Sequence, residues 1–131
     1  MLSPLNIRDA LITYWNTNYT ETPTAYQNSE FPAEDKKSPF ISFSINFVDS
    51  ETVYKGSGTQ TRYSGVILAM IRVPVMSGTR RAYELADIAS TILERKRLDG
   101  GSITTYASEI GRQGEVDEYY TLPVTVPFVV T

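Results

Sequence analysis

The 131-residue sequence contains neither cysteine nor histidine. Without cysteine the chain forms no disulfide, binds no metal through thiolates and has no cysteine nucleophile. Without histidine it lacks the usual general base near neutral pH and the commonest nitrogen ligand for metals. These two absences exclude several familiar classes of catalytic and metal-binding site.

The net charge and the hydrophobicity of the sequence indicate whether nucleic acid or a membrane is an expected partner. The net charge is −3 and the pI is near 4.9, which argues against nucleic acid as a directly recognised partner. The longest apolar run is broken by Arg72 and Pro74 and is shorter than the roughly 20 residues that span a bilayer. The opening sequence MLSPLNIRDALITYW has neither a basic leader nor a small-residue cleavage site. We therefore expect a soluble intracellular protein with no membrane partner.

Two helices are predicted from apolar spacing. Ser3 can cap a helix beginning at Pro4, whose apolar stripe is Ile7, Ala10, Leu11, Tyr14 and Trp15. After the break at Ser77-Gly78-Thr79, the sequence RRAYELADIASTILER predicts a second helix that Gly100-Gly101 ends. Its buried stripe consists of Ala82, Leu85, Ala86, Ala89, Ile92 and Leu93.

Three long segments predict strands. Phe40 to Val48 alternates apolar and polar residues, as a half-buried strand does. Asp49 to Thr61 is interpreted as the flexible tip of a long hairpin that leads into Tyr63 to Val75, a strand expected to be buried on both faces. Shorter strands are predicted at Ala25 to Gln27 and Ile103 to Ala107, with an acidic loop from Glu109 to Glu118.

The closing strand, Tyr119 to Val130, contains prolines at 123 and 127. Being four residues apart, both prolines lack the backbone N–H on the same side of the strand, so we expect an edge strand or one bulged at both prolines. The order of elements predicts one α+β domain spanning residues 1–131, a mainly antiparallel sheet flanked by two main helices on one face.

Two kinds of sequence pattern that could indicate a binding or catalytic site occur in sequence contexts that do not support one. The glycine-rich run at 56–59 lacks the Gly-Lys-Ser/Thr of a phosphate loop and is followed by a strand. Carboxylates cluster at Glu34-Asp35, at Asp49 with Glu51, and at 115–118, all in predicted polar loops where they remain solvated. We therefore expect no enzymatic activity, no cofactor and no metal site.

Three groups of residues are candidates for contacts between proteins. Arg80 and Arg81 lie in the first turn of a helix, where the helix dipole disfavours cations; either neighbouring carboxylates and water offset that cost, or the pair meets an acidic surface on a partner. Tyr54 and Lys55 lie at the hairpin tip, which is either an ordinary loop or an arm that orders on assembly. The acidic group Glu115, Asp117 and Glu118 is the third candidate.

Several passages together resemble the phage tail terminator family, whose members cap the tail tube of long-tailed phages. They are SPLNIRDALITYW, QNSEFPAE, PFISFSI, RYSGVILAMIRVP, SGTRRAYELADIAS and LPVTVPFVV. The resemblance implies an antiparallel sheet flanked by helices, with copies closing into a homo-hexameric ring. Such a ring would bind tail tube protein, stop polymerisation, and offer its other face to the head-neck connector at the head-proximal end of the virion tail.

Other functions remain open on the sequence alone. A tail-to-head joining, or tail completion, protein has a similar size and order of elements. A small α+β hydrolase would show convergent polar groups in a pocket, or turnover that depends on Asp49 or Glu51. A peptide-binding module would use an exposed sheet edge.

Overall fold

The computed structural model describes residues 3–27, 38–55, 58–76, 78–116 and 119–130. In chain order its elements are α1 (Pro4–Asn18), β1 (Thr24–Tyr26), β2 (Phe40–Lys55), β3 (Gly58–Pro74), α2 (Arg80–Leu93), β4 (Arg97–Leu98), a 3-10 helix (Asp99–Gly101), β5 (Ile103–Thr105), β6 (Glu109–Ile110), β7 (Gly114–Val116) and β8 (Tyr119–Val130). The eight described strands form one sheet in the order β1-β2-β3-β8-β5-β4, with β6 and β7 also paired to β8. Only the β1–β2 pairing is parallel among them, so the predicted α+β class with a mainly antiparallel sheet is confirmed.

Both helices pack on the same face of this sheet. The Trp15 ring of α1 stacks on Phe43 of β2, with ring centroids 5.2 Å apart, while α2 packs on β3 and β8. The Tyr14 hydroxyl donates a hydrogen bond to the Ile92 carbonyl oxygen at 2.6 Å and so joins the two helices. The sheet residues that face the helices are Ile41, Phe43, Ile67, Ala69, Ile71, Val73, Leu122, Val124, Val126 and Phe128, and all of them are buried.

Helix positions follow the expected spacing closely. Ser3 accepts a hydrogen bond from the Asn6 N–H at 3.2 Å and caps α1, as predicted. However, α2 ends at Leu93 and not at Gly100-Gly101. The reason is tertiary: the buried Thr105 hydroxyl donates to the Leu93 carbonyl oxygen at 2.6 Å, and it accepts from the Lys96 N–H at 2.7 Å. A side chain from β5 therefore satisfies the end of the helix.

Strand β3 is buried on one face rather than on both. Its residues that point away from the helices, Val66, Leu68 and Met70, are half-buried. The prediction of two buried faces was wrong because both helices pack on the other side. Apolar composition alone could not distinguish these arrangements.

The prediction that β8 is an edge strand, or is bulged at both prolines, was also wrong. β8 pairs with β3 along its whole length on one side, and with β5, β6 and β7 on the other. The carbonyl oxygens of Pro127 and Pro123 accept hydrogen bonds from the N–H groups of Tyr106 (3.0 Å) and Gly111 (2.8 Å), so the missing proline N–H groups face that second side. Both prolines do lack the backbone N–H on one common side, as predicted. That side is nevertheless not a free edge, because three short strands, β5, β6 and β7, pair with it.

The prediction of an acidic loop at 109–118 was wrong, because part of this segment forms short strands beside β8. Within the described residues, β6 and β7 take up parts of this segment and pair with β8. Between β5 and β6, Ser108 binds α2 instead of β8. Its N–H and hydroxyl donate to one Glu94 carboxylate oxygen at 3.0 Å and 2.9 Å, and its hydroxyl lies 3.0 Å from that of Ser90. Ser108 thus attaches the segment between β5 and β6 to α2.

Replacing Gly65 by alanine should destabilise the fold by about 2–3 kcal/mol, because overpacking at a rigid contact forces backbone shifts. An added Cβ would lie 2.3 Å from the Asn46 carbonyl oxygen and 2.8 Å from the Phe128 ring. Chemical denaturation measures the change in the free energy of unfolding. Gly114→Ala is the matched control, since its Cβ would meet only the Thr121 hydroxyl at 3.6 Å; equal losses in both variants would contradict the close approach at Gly65.

Replacing Glu94 by glutamine should lower the melting temperature near pH 7 and leave it little changed at low pH. Hydrogen bonds from the Ser108 N–H, and then from its hydroxyl, hold the pKa of Glu94 below its usual value. A lowered folded-state pKa means that the carboxylate stabilises the fold above the unfolded-state pKa, and that this contribution is lost as the pH falls through the folded-state value. Melting curves between pH 7 and pH 2 test this, with the exposed Asp87→Asn as control. A difference between Glu94→Gln and the unmodified chain that stays constant over that range would refute the assignment.

Candidate functional site

The first candidate surface is a two-stranded arm made of residues 51–55 of β2 and 58–62 of β3. Five backbone pairs, from Glu51↔Arg62 to Lys55↔Gly58, join its two strands. β8 reaches only as far as Tyr63, which pairs with Val130, so in the described part of the chain the arm has no third strand. Five residues of strand extend roughly 16 Å. The segment predicted as a loop tip is therefore mostly strand, and Tyr54 and Lys55 lie at the far end of it.

The base of the arm is set by a β-bulge and an aromatic cluster. The register shifts between Phe47 and Asp49, which inserts Val48 as an extra residue. The Phe47 ring meets the rings of Tyr63 and Phe128 edge-on, at centroid distances of 6.0 Å and 5.9 Å. The bulge and these contacts fix the position at which the ribbon leaves the sheet.

The second candidate surface is the outer edge of β2. β1 covers β2 from Ile41 to Phe43, and beyond that point no described strand lies on this side. The Ile41 N–H donates to the Pro23 carbonyl oxygen at 3.1 Å and therefore points toward the β1 side. Backbone groups alternate sides along a strand, so those of Ile45 and Phe47 point the same way. We call residues Ser44–Val48 the open edge.

A groove of about 490 Å³ lies between the open edge and the first half of α1. Its lining is Pro4, Leu5, Arg8, Ile12, Gln27, Phe43, Ser44, Ile45 and Phe47. Leu5 is 63% exposed, Phe47 41% and the adjoining Val48 70%, so large apolar side chains face solvent here. Arg8 is the charged residue of the lining, and it forms an exposed ion pair with Asp9 at 2.9 Å.

The third candidate surface surrounds Arg80 and Arg81 at the start of α2. The Arg80 side chain is 92% exposed and contacts the Glu84 carboxylate at 3.0 Å, one helical turn away. Arg81 contacts the same carboxylate at 3.3 Å and Glu21, before β1, at 3.8 Å. Nearby carboxylates thus offset the unfavourable position of both cations, although such exposed pairs contribute little to stability. Arg80 remains available to a partner.

Of the acidic group, the structure describes Glu115; Asp117 and Glu118 lie outside the described residues. Glu115 is exposed and pairs in β7 with Tyr120 of β8. The Tyr120 hydroxyl donates to Gln113, and Gln113 in turn donates to the Tyr83 hydroxyl of α2. This chain of hydrogen bonds holds β7 beside the helix that carries Arg80 and Arg81.

The candidates fall at two ends of the molecule. Tyr120 also pairs with Val73, near the end of β3 that leads into α2, so Glu115 and Arg80 belong to the same end. Tyr54 pairs with Thr59 near the beginning of β3. At the rise of an extended strand, Thr59 and Val73 are up to about 45 Å apart. The structure therefore separates two groups that the sequence could not place relative to each other.

Sequence reasoning missed the groove and the open edge. Leu5 and Phe47 line one groove although more than forty residues separate them in the chain. The available signal was local: the segment Ser44–Val48 contains no proline or lysine, the residues that commonly protect an edge strand. That signal becomes interpretable only when the neighbouring strands are known.

Among the described residues, no group of three or more acidic side chains is arranged to hold a metal ion. The backbone of Asp49 and Glu51 lies in β2, but their side chains fall outside the described part, as do Glu34 and Asp35. No described helix combines the length and apolar character needed to cross a bilayer.

Comparison with known proteins bears on the fold. No protein-family model matches this chain, and no curated protein matches it. Among solved structures, 21 chains match. One of these, whose name states no function, is 19% identical with a TM-score of 0.74, over 100% of this chain and 97% of that chain. At this identity the similarity shows a shared fold and leaves the function open.

Proposed function

We propose that this chain is a structural virion protein that caps a phage tail tube as a ring. In this proposal six copies close into a homo-hexamer at the head-proximal end of the tail, after synthesis in the host cytoplasm. One face of the ring binds tail tube protein and the other is offered to the head-neck connector. The chain acts through protein contacts, without catalysis or a cofactor.

The observation that carries the proposal is the arm beyond the end of β8. A two-stranded ribbon without a third strand or a helix over it is only marginally stable in water. Its ten residues make their backbone pairs with each other alone, within the described residues. An element of this kind gains stability by docking on another subunit, which is what assembly into a ring provides.

The position of the candidate groups supports a protein that joins two partners. Arg80 and Glu115 belong to one end of the long β3 strand, and the arm forms the other. A terminator needs two dissimilar faces. One face binds the end of the tube as another tube subunit would, and the other face lacks the surface to which a further tube subunit could bind. Tube growth then stops because the next tube subunit finds no matching surface. The passages that resemble tail terminators extend over most of the sequence and agree with this proposal.

The open edge of β2 favours a second candidate, a module that binds an extended peptide by adding it to the sheet. In that mode the backbone supplies affinity and a nearby pocket supplies specificity. The groove beside Ile45 and Phe47 has the required location. A tail-to-head joining protein is the nearest alternative within virion assembly, and the following experiment separates it from a terminator.

Disrupting the gene should yield overlong, irregular tail tubes that are not attached to heads, because polymerisation would lack its stop. Electron microscopy of the resulting particles and tail parts measures tube length and attachment, with the gene restored in trans as control. Tails of normal length beside unattached filled heads would indicate a joining protein instead. Normal, infectious particles would exclude both functions and favour the peptide-binding module.

Reversing the charge at Arg80 and Arg81 together should weaken assembly of the ring while leaving the fold intact. Exposed ion pairs such as Arg80–Glu84 contribute up to about 1 kcal/mol, so the monomer should melt only slightly earlier. Light scattering coupled to size exclusion measures the assembled fraction, and Arg97→Glu, at an exposed arginine of β4, is the matched control. Unchanged assembly in the double variant would remove Arg80 and Arg81 from the interface.

A further inference from the structure

We propose that the arm of one copy docks on the open edge of the next copy, with side chains covering the groove between α1 and β2. This inference rests on the proposed ring and names the contact that would build it. The arm is residues 51–55 and 58–62, and the open edge is residues 44–48, as defined above. The two surfaces belong to the same chain, and each is incomplete by itself.

The open edge has the backbone geometry to accept a strand. The N–H and C=O groups of Ile45 and Phe47 point to the side where β1 has already ended. Another strand placed there would continue the sheet outward from β2. Side chains of that strand on the helix-facing side would then lie over the groove, against Leu5 and Phe47, which are substantially exposed.

Apart from the bulge at Val48, the open edge has no feature among the described residues that keeps an edge strand unpaired. Natural proteins protect such edges with proline, lysine or covering elements. In β8 the sequence does place prolines on one side, and the facing strand is broken there. Ser44–Val48 instead reads SINFV, without proline or charge. An edge with no neighbouring strand among the described residues, beside exposed apolar side chains, favours a surface that is covered in the assembled protein.

The arm matches this surface in length. Its second strand, Gly58–Arg62, has five residues, and so has the open edge. A third strand would also give the ribbon the pairing that it lacks in a single copy. These matches select a second copy of this chain as the occupant.

The proposed contact is head-to-tail, because the arm and the open edge are different surfaces. Contacts of this type generate rings when the rotation closes, whereas a patch that meets its own copy generates a two-fold dimer. Ten arm residues form a small contact compared with the roughly 20–30 residues a side in a standard interface. A single contact should therefore be weak, and closure of a ring should stabilise all of the contacts together.

Cysteine cross-linking tests the contact directly, since the unmodified chain contains no cysteine. Asn46→Cys on the open edge is combined with Thr59→Cys, Gln60→Cys or Thr61→Cys on the arm, because these three positions sample both faces of the strand. Under oxidation, at least one pair should give a covalent ladder that rises to the closed ring, and each single-cysteine variant should give none. Pairing Thr91→Cys, at an exposed position of α2, with the same arm positions is the control.

The outcomes separate the contact from the proposed function. The reaction is scored in concentrated purified protein and in purified tails. A disulfide dimer from Asn46→Cys alone would show two open edges meeting and would overturn the head-to-tail contact. Rings or tails that contain the chain but give no ladder with any of the three pairs would overturn the contact while leaving the terminator function. Absence of the chain from tails would refute the function, and the ladder in purified protein would still decide the contact.

A substitution in the groove provides an independent readout. Leu5→Glu should lower the cross-linked fraction roughly tenfold, because docking would desolvate a carboxylate in an apolar groove. It should leave the melting temperature of the monomer nearly unchanged, since Leu5 is 63% exposed and an acidic residue is favourable in the first turn of a helix. The matched control is Ile110→Glu, at a 48% exposed residue on β6. Equal cross-linking in Leu5→Glu and in the unmodified chain would overturn the groove as part of the contact.

Discussion

The backbone pairing of β3 is the constraint on which the rest of this structure depends. From Tyr63 to Arg72 the strand is paired on both sides, by β2 and β8, and the helices cover the face that results. From Gly58 to Arg62 it pairs with β2 alone, in the described residues. The end of β8 therefore marks the point where a packed sheet becomes an arm. The bulge beside Val48 and the close approach at Gly65 lie near this same point.

Two prolines organise the opposite side of the sheet. Because Pro123 and Pro127 have no N–H to donate, continuous pairing with β8 is impossible on that side. The chain responds by pairing in three short strands and by bonding to α2 through Ser108 in one of the gaps. The side of β8 that carries the prolines is interrupted but paired, whereas beyond Phe43 the outer side of β2 has no neighbouring strand among the described residues. The contrast between the two sides is the basis for assigning the interaction surface to β2.

The candidate site could be predicted only in part. The arm at Tyr54 and Lys55 follows from the position of a glycine-rich turn between two strand patterns, but its length does not, because polar residues such as Thr59 and Thr61 can form a strand or a loop. The ion pair of Arg80 with Glu84 follows from helical spacing, while the contact of Arg81 with Glu21 requires the tertiary fold. The groove was not predictable, since it exists only where α1 meets β2.

Local patterns were enough to predict the helices, the main strands and the α+β class, because apolar periodicity and capping residues act locally. They were also enough to predict that both prolines of β8 lack their donors on one common side. The tertiary contacts decide that this side faces three short strands, that β3 is buried on one face, and that among the described residues β2 has an open edge beside a groove. The physical reason is that backbone hydrogen bonds between strands and the burial of a sheet face depend on which elements become neighbours, and that choice involves residues far apart in the chain.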